Sequence, residues 1–336
     1  MIAGMKRDSG LAVRPGPSED PILIVGAPRS GTTWLAKIFD SHPDVLYRHE
    51  PDDTTPPPQS SDPAALMGAL ARWRADRSIR TSAKRPFFAK SWRSRPAHCL
   101  RIALAYAMLG LGRLPGLRGI HRRWSLPDFC ATNRARLVIK TVNWCDGVAL
   151  IARQMPLSRV VIIIRRPCGQ VHSVMRGATQ GRFELRESAS LPYNRDRAMA
   201  HAASHGVSAQ AFLGLPDAAK FAWDWAAFNE TLKCSTDGLP NVLTVFYEDL
   251  CERPEEVAHD ILAFAGLDWH KQTQAFVRAS TSTGGDGDYY GVVRNPAVAA
   301  HRWRHSMADE DRRAVQAVVR QTRLSHYWAD LRASEA

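Results

Sequence analysis

Between Pro21 and Leu35 the chain reads PILIVGAPRSGTTWL, and its polar residues are spaced to grip an anion. Gly26 and Gly31 bound a tight turn with the spacing of the glycines in a phosphate-binding loop. Arg29, Ser30, Thr32 and Thr33 crowd that turn with hydrogen-bond donors. A helix starting at Thr32 would aim its unpaired N–H groups and the positive end of its dipole at the same point. The lysine that follows the second glycine in nucleoside-triphosphate loops is absent: Thr32 holds that place, and the cation is Arg29, inside the loop. This argues against a standard ATPase or GTPase.

Two further stretches offer partners. Arg159 to Ile164, RVVIII, ends in Arg165-Arg166-Pro167, before a helix expected from about Gly169. Asn241 to Tyr247, NVLTVFY, reads as a strand, and Pro254 with Glu255 and Glu256 as a helix start. A carboxylate occurs in Tyr47-Arg48-His49-Glu50-Pro51, where Pro51 is expected to keep Glu50 extended at a strand end. Glu50 could accept a proton, and His49 is the alternative base, suited to neutral pH. Lys140 closes the run Leu137 to Lys140, placed to neutralise an anion.

Positioning these residues requires strands with ligand-facing ends. Ile22 to Val25, Val45 to Tyr47 and Leu137 to Lys140 join the two runs above as strands, with helices between them and at Asp217 to Cys234 and Asp309 to Gln321. Such alternation predicts an α/β domain with a central parallel sheet, helices on both faces and helical insertions. Domain organisation is read as a flexible tail over 1–20 and one domain over 21–336, with insertions at about 51–130 and 177–216. Pro51 to Pro63, Gly177 to Pro216 and Ser280 to Gly291 are loop-like and are candidates for acceptor binding and lid motion. Trp223 and Trp225 read as core.

Composition narrows the class. A formal net charge of +12 suits nucleic acid, an acidic membrane surface or an anionic small molecule. The arginines are dispersed and no nucleic-acid motif accompanies them, so a small anionic substrate is favoured over nucleic acid. The first twenty residues carry no apolar signal-peptide core. The apolar run Ile102 to Leu111 is too short to span a bilayer and reads as a buried or interfacial helix, leaving peripheral membrane contact open. Six cysteines, Cys99, Cys130, Cys145, Cys168, Cys234 and Cys251, form no CxxC pair and no metal-like His/Cys cluster. They suggest reduced thiols in a cytoplasmic protein.

The string PRSGTTWL resembles the 5′-phosphosulfate loop of sulfotransferases that use 3′-phosphoadenosine-5′-phosphosulfate (PAPS). The resemblance implies a P-loop-like three-layer fold and transfer of a sulfuryl group from PAPS to a hydroxyl, with 3′-phosphoadenosine-5′-phosphate (PAP) as product and no metal. It assigns Pro28, Arg29, Ser30, Gly31, Thr32, Thr33 and Trp34 to the phosphosulfate. Arg165 and Ser173 fall to the 3′-phosphate, Tyr247 to the adenine, and Arg294, whose spacing departs from the family pattern, to a late basic segment closing over the 3′-phosphate. In the cytosolic branch the base is a histidine in a KTH segment, whose position here is Val142. Glu50-Pro51 instead resembles the Glu-Pro segment of carbohydrate and bacterial sulfotransferases, in which a glutamate is the proposed base. That implies a saccharide, glycoconjugate or related acceptor, with Arg29 and Lys140 stabilising the transferring group. A P-loop kinase-like phosphotransferase and a non-catalytic nucleotide- or glycan-binding protein are the alternatives, and the first lacks its lysine.

Overall fold

In the computed structural model of the chain, the residues described are 20–58, 62–112, 114, 117, 124–129, 135–145, 147–179, 194–282 and 296–327. Up to the third strand the order is β1 (Ile22–Val25), α1 (Thr32–Asp40), β2 (Val45–His49), α2 (Pro63–Ala75), α3 (Ile79–Ser82), α4 (Arg95–Leu111) and β3 (Arg136–Thr141). Then follow α5 (Val148–Gln154), β4 (Arg159–Ile164), α6 (Pro167–Thr179), α7 (Arg195–Ser204), α8 (Ala209–Gly214), α9 (Asp217–Thr236) and β5 (Val242–Phe246). The described elements after β5 are helices: α10 (Tyr247–Glu252), α11 (Pro254–Phe264), α12 (Lys271–Ser282), α13 (Pro296–His301), α14 (Trp303–Ser306) and α15 (Asp309–Arg320).

Among the described residues the five strands are all parallel, in the order β2-β3-β1-β4-β5. The expected central parallel sheet with surrounding helices is therefore present. Its unbroken apolar runs have a simple cause. Ile22 and Ile24 of β1 enter one core while Leu23 and Val25 enter the other, and Val161 and Ile163 of β4 divide from Val160, Ile162 and Ile164 in the same way. Both faces are covered, so both sets of alternate side chains are apolar. Connections leave β1 toward β2 and leave β4 toward β5, in opposite directions across the sheet. A crevice opens between such neighbouring strand ends, which is where open α/β sheets bind ligands.

The insertion after β2 is tied to the sheet by buried charge. Asp128 receives Arg48 at 2.6 and 3.4 Å, Arg101 lies 3.7 Å away, and Arg93 donates to the Asp128 carbonyl at 2.7 and 2.9 Å. Asp128→Ala is expected to cost about 3–5 kcal/mol, because it leaves the buried Arg48 guanidinium without its counterion. Urea unfolding at neutral pH reads this loss, and an unchanged midpoint would mean the network is dispensable.

Several expectations need adjustment. The 177–216 stretch contains α7 and α8, capped by Asn194 and Ser208, rather than being a plain loop. Lys271–Ser282 extends helix into the glycine-rich stretch expected as loop from Ser280. Along α4 only Arg101 and Ala105 are buried, and Leu100, Tyr106 and Leu111 are exposed, so this helix is peripheral. Trp223 and Trp225 are core, as expected. Cys145, Cys168 and Cys251 are buried, Cys99 and Cys234 are exposed, and Cys130 lies outside the described residues. Among the described residues no helix is long and apolar enough to cross a membrane.

Candidate active site

Several candidate side chains lie at or just after the C-terminal end of a strand. Gly26 succeeds β1, Glu50 succeeds β2, Arg165 succeeds β4 and Tyr247 succeeds β5, while Lys140 pairs in register with Ile24 and His49 near the end of β3. The loop after β1 is a tight turn: the Ser30 N–H donates to the Ala27 carbonyl at 3.1 Å. Pro28 takes the second place of the turn and Arg29 the third, with φ at 71°. Proline followed by a positive φ is the signature of a type II turn, and an arginine there stores backbone strain of about 1–3 kcal/mol. Gly31 has φ 91° and caps α1. A Cβ on it would lie 2.3 Å from the Tyr247 ring, so this glycine is required by the loop's close approach to the β5 end.

Residues 144 positions apart meet here: Arg29 Nε donates to Ser173 Oγ at 3.3 Å. Arg165 Nη1 donates to the Arg29 carbonyl at 3.1 Å, Nη2 to the Ala299 carbonyl at 2.8 Å, and the guanidinium stacks 4.6 Å over the Tyr247 ring. Gln170 of α6 donates to the Pro28 carbonyl at 2.7 Å. The β1 loop and the β4 helix thus form one cradle. Around it Ser30 Oγ, Arg165 Nε and Trp303 Nε1 are buried donors with no hydrogen-bond partner among the described residues. Leaving such groups unpaired costs about 1–3 kcal/mol each, and an anionic ligand would satisfy them. The residues present therefore fit a phosphate- or sulfate-bearing ligand.

Not every assigned residue lies in the cradle. Trp34 is buried in the core, in edge contact with Tyr247, and its indole N–H donates to Ser280 Oγ at 3.0 Å. Tyr247 is also buried, braced between Gly31 and Arg165, which leaves little ring surface for adenine. It opens α10 instead of ending β5. Arg294 lies outside the described residues.

Glu50 departs from its expected extended geometry. Its φ and ψ are 47° and 54°, a left-handed conformation held by its N–H donating to the Lys140 carbonyl at 2.8 Å and by an ion pair between its Oε1 and Lys140 Nζ. Burial alone would raise the Glu50 pKa, but Lys140, His49 and Lys84 outweigh it and bring the value down to about 2. His49 is buried, hydrogen-bonded through Nδ1 to the Tyr47 hydroxyl at 2.7 Å, and burial with Lys140 beside it pushes its pKa well below the usual imidazole range. Of the two candidate bases Glu50 is the more exposed.

Two residues here escape the sequence reading. Asp52 Oδ2 accepts from the Thr141 hydroxyl at 2.6 Å while Oδ1 has no partner, and burial raises its carboxyl to about 6. Lys84 comes from the insertion after β2. Lys37, fully buried in α1, pairs with Asp40 and donates to the carbonyls of Lys84 at 3.0 Å and Pro86 at 2.6 Å, strapping this segment to α1. Burial lowers the Lys84 pKa, with the positive charges of Lys140, Lys37 and Arg29 adding to it and Glu50 opposing. The charges of Lys140 and Arg29 thus reach Lys84, with the Glu50 carboxylate opposing them.

The sequence profile of the sulfotransferase family matches residues 21–271, which contain the cradle, Glu50 and Lys140. No curated protein matches the sequence significantly. Among solved structures, a mouse sulfotransferase complexed with PAP is 16% identical, with 94% of this chain and 88% of that one covered and a TM-score of 0.46. A sulfotransferase from Alicyclobacillus acidocaldarius is 15% identical, covering 94% and 99%, at a TM-score of 0.40. Retinol dehydratase in complex with androsterone and inactive cofactor PAP is 15% identical, covering 91% and 81%, at 0.39. At this level of overlap the assignment rests on the sequence match, which spans most of the chain and the whole sheet. The chain belongs to the sulfotransferase family.

Proposed function

We propose that the protein transfers the sulfuryl group of PAPS to a hydroxyl of a saccharide, glycoconjugate or related small molecule, with Glu50 as general base. The observation that carries this reading is the Arg29–Ser173 contact, which joins the loop after β1 to the helix after β4 in a single anion cradle. Bound there, PAPS supplies the sulfuryl group and PAP as leaving group. Thr32, Thr33 and the free amides of α1 take the 5′-side oxygens, helped by the helix dipole. Arg29 stabilises negative charge on the bridging oxygen electrostatically, since a guanidinium does not give up its proton at neutral pH. Lys140 and Lys84 neutralise charge from the β3 side.

Glu50 accepts the acceptor's proton as the new S–O bond forms. Its low pKa reflects the ion pair with Lys140. When an anion competes for that ammonium, the hold on Glu50 weakens and its basicity rises. Val142 in place of the KTH histidine, and a carboxylate beside the cradle, support the saccharide-type acceptor.

Ser173→Ala is expected to weaken PAP binding about 10- to 100-fold, the equivalent of one charge-assisted hydrogen bond. Its melting temperature should stay near that of the native chain. Arg165 is a poorer probe, because it also holds the Arg29 and Ala299 carbonyls. Calorimetric titration with PAP in magnesium-free buffer tests the donor assignment. Unchanged affinity in Ser173→Ala, or binding of ATP with magnesium in preference to PAP, would contradict it.

Asp52 is a second candidate base, favoured by its raised carboxyl and unpartnered Oδ1. The pH profile separates the two. With Glu50 as base the rate holds as pH falls through 6 and on toward the Glu50 value of about 2, whereas with Asp52 it falls below about pH 6.

A further inference from the structure

Away from the cradle, α7 and α9 bring together two imidazoles and a carboxylate, a grouping the scattered histidines and cysteines of the sequence do not disclose. We propose that His201, His205 and Glu230 form a binding site for a divalent transition-metal ion of zinc's class, which staples α7 to α9. His201 and His205 are four residues apart, so a helix and its terminal cap present both rings on one side. Glu230 Oε2 lies 3.1 Å from His201 Nε2 and 3.9 Å from His205 Nε2, and one donor atom from each residue falls within 4.8 Å of the others. Donor atoms about 3.3 Å apart are what tetrahedral bonds of about 2.0–2.1 Å to nitrogen and oxygen require.

The surroundings are those of a ligand set. His205 Nδ1 lies 3.0 Å from the His201 carbonyl, an acceptor that fixes the proton on Nδ1 and leaves the Nε2 lone pair facing Glu230. His201 Nε2 is buried and makes no hydrogen bond of acceptable geometry, although the carboxylate is within reach. Glu230 Oε1 accepts from the Arg323 N–H at 2.5 Å, which orients the carboxylate and leaves Oε2 toward the imidazoles. The Trp223 ring packs against both imidazoles, at 6.1 and 5.3 Å, and shields one side of the cluster. Three protein ligands leave a fourth position for water, and both histidine side chains are part-exposed, so an ion can enter.

The nitrogen and carboxylate donors favour zinc, cobalt, nickel or copper over magnesium or calcium. The staple's consequence is positional. α9 also carries Trp225, whose indole N–H donates to the Arg165 carbonyl at 3.0 Å, so the helix fixed by the ion is the one that braces the donor-site arginine.

The test uses the full chain, freed of metal by a chelator, dialysed and titrated with Zn²⁺ by calorimetry. One equivalent is expected to bind and raise the melting temperature, with Mg²⁺ unable to displace it. Co²⁺ in place of Zn²⁺ should give the strong visible bands of a four-coordinate site, a readout that needs no variant. His205→Ala, and the bulkier His205→Gln should the first fail to fold, should bind at least tenfold more weakly and lose those bands. No Zn²⁺ binding by the native chain, or undiminished binding by a folded His205 variant, would overturn the proposal.

Discussion

Glu50→Gln is expected to lower the rate of sulfuryl transfer by about 10²- to 10⁴-fold while leaving PAP affinity nearly unchanged. The substitution keeps the shape of the side chain and an oxygen able to accept from Lys140, and removes only the capacity to take a proton. The left-handed backbone at Glu50 is held from outside the side chain, by the bond from its N–H to the Lys140 carbonyl, so the position should survive the change. pH supplies a second signature. Glu50 has a folded-state pKa of about 2, below its ordinary 4.5, so its ion pair stabilises the fold above pH 4.5 and that contribution is lost as pH falls toward 2. Asp52, raised from 3.8 to about 6, runs the other way: its contribution is present below pH 3.8 and lost as pH rises through 6. In Glu50→Gln the acid-side loss of stability between pH 4.5 and 2 should shrink. Full activity in this variant would move the base to Asp52 or His49.

Arg29→Gly is expected to separate activity from stability. Removing one preorganised donor from the reacting group costs about 10²- to 10³-fold in rate. The fold, by contrast, should hold or gain up to about 1 kcal/mol, because glycine adopts a φ of 71° without the penalty a side chain carries. The carbonyl that receives Arg165 belongs to the backbone and remains. Arg29→Lys should restore part of the rate and none of the stability gain. Rate measurements beside urea unfolding read both quantities, and a parallel loss of the two would make Arg29 a structural residue.

Much of this site can be read from sequence because β1 and β4 are buried on both faces. Burial on both sides of the sheet makes a strand an unbroken apolar run, and the residue after the run is then a strand-end residue. That logic locates Gly26 and Arg165, while Ser173 follows from the family resemblance. It fails where tertiary contacts override local preference. Pro51 disfavours the helical region for Glu50, yet the Lys140 carbonyl and ammonium hold it left-handed. Trp34 follows the loop in sequence, but one step along α1 turns it from the cradle toward Ser280 of α12. α6 starts at Pro167 rather than near Gly169, since proline's fixed φ suits a first helical position. Lys84 has no local signal, because a buried lysine 47 residues earlier in the chain sets its place. Likewise the His201 and His205 spacing is visible, while their meeting with Glu230 depends on how α7 packs against α9.

The most direct measurement is transfer of labelled sulfate from PAPS, in metal-free buffer, to a panel of saccharide, glycolipid, phenol and steroid acceptors, with native chain and Glu50→Gln side by side. The predicted result is labelled product from saccharide or glycolipid hydroxyls with the native chain, and almost none with the variant. Binding of PAP with no labelled product from any acceptor would contradict the assignment and leave a nucleotide-binding protein without transferase chemistry.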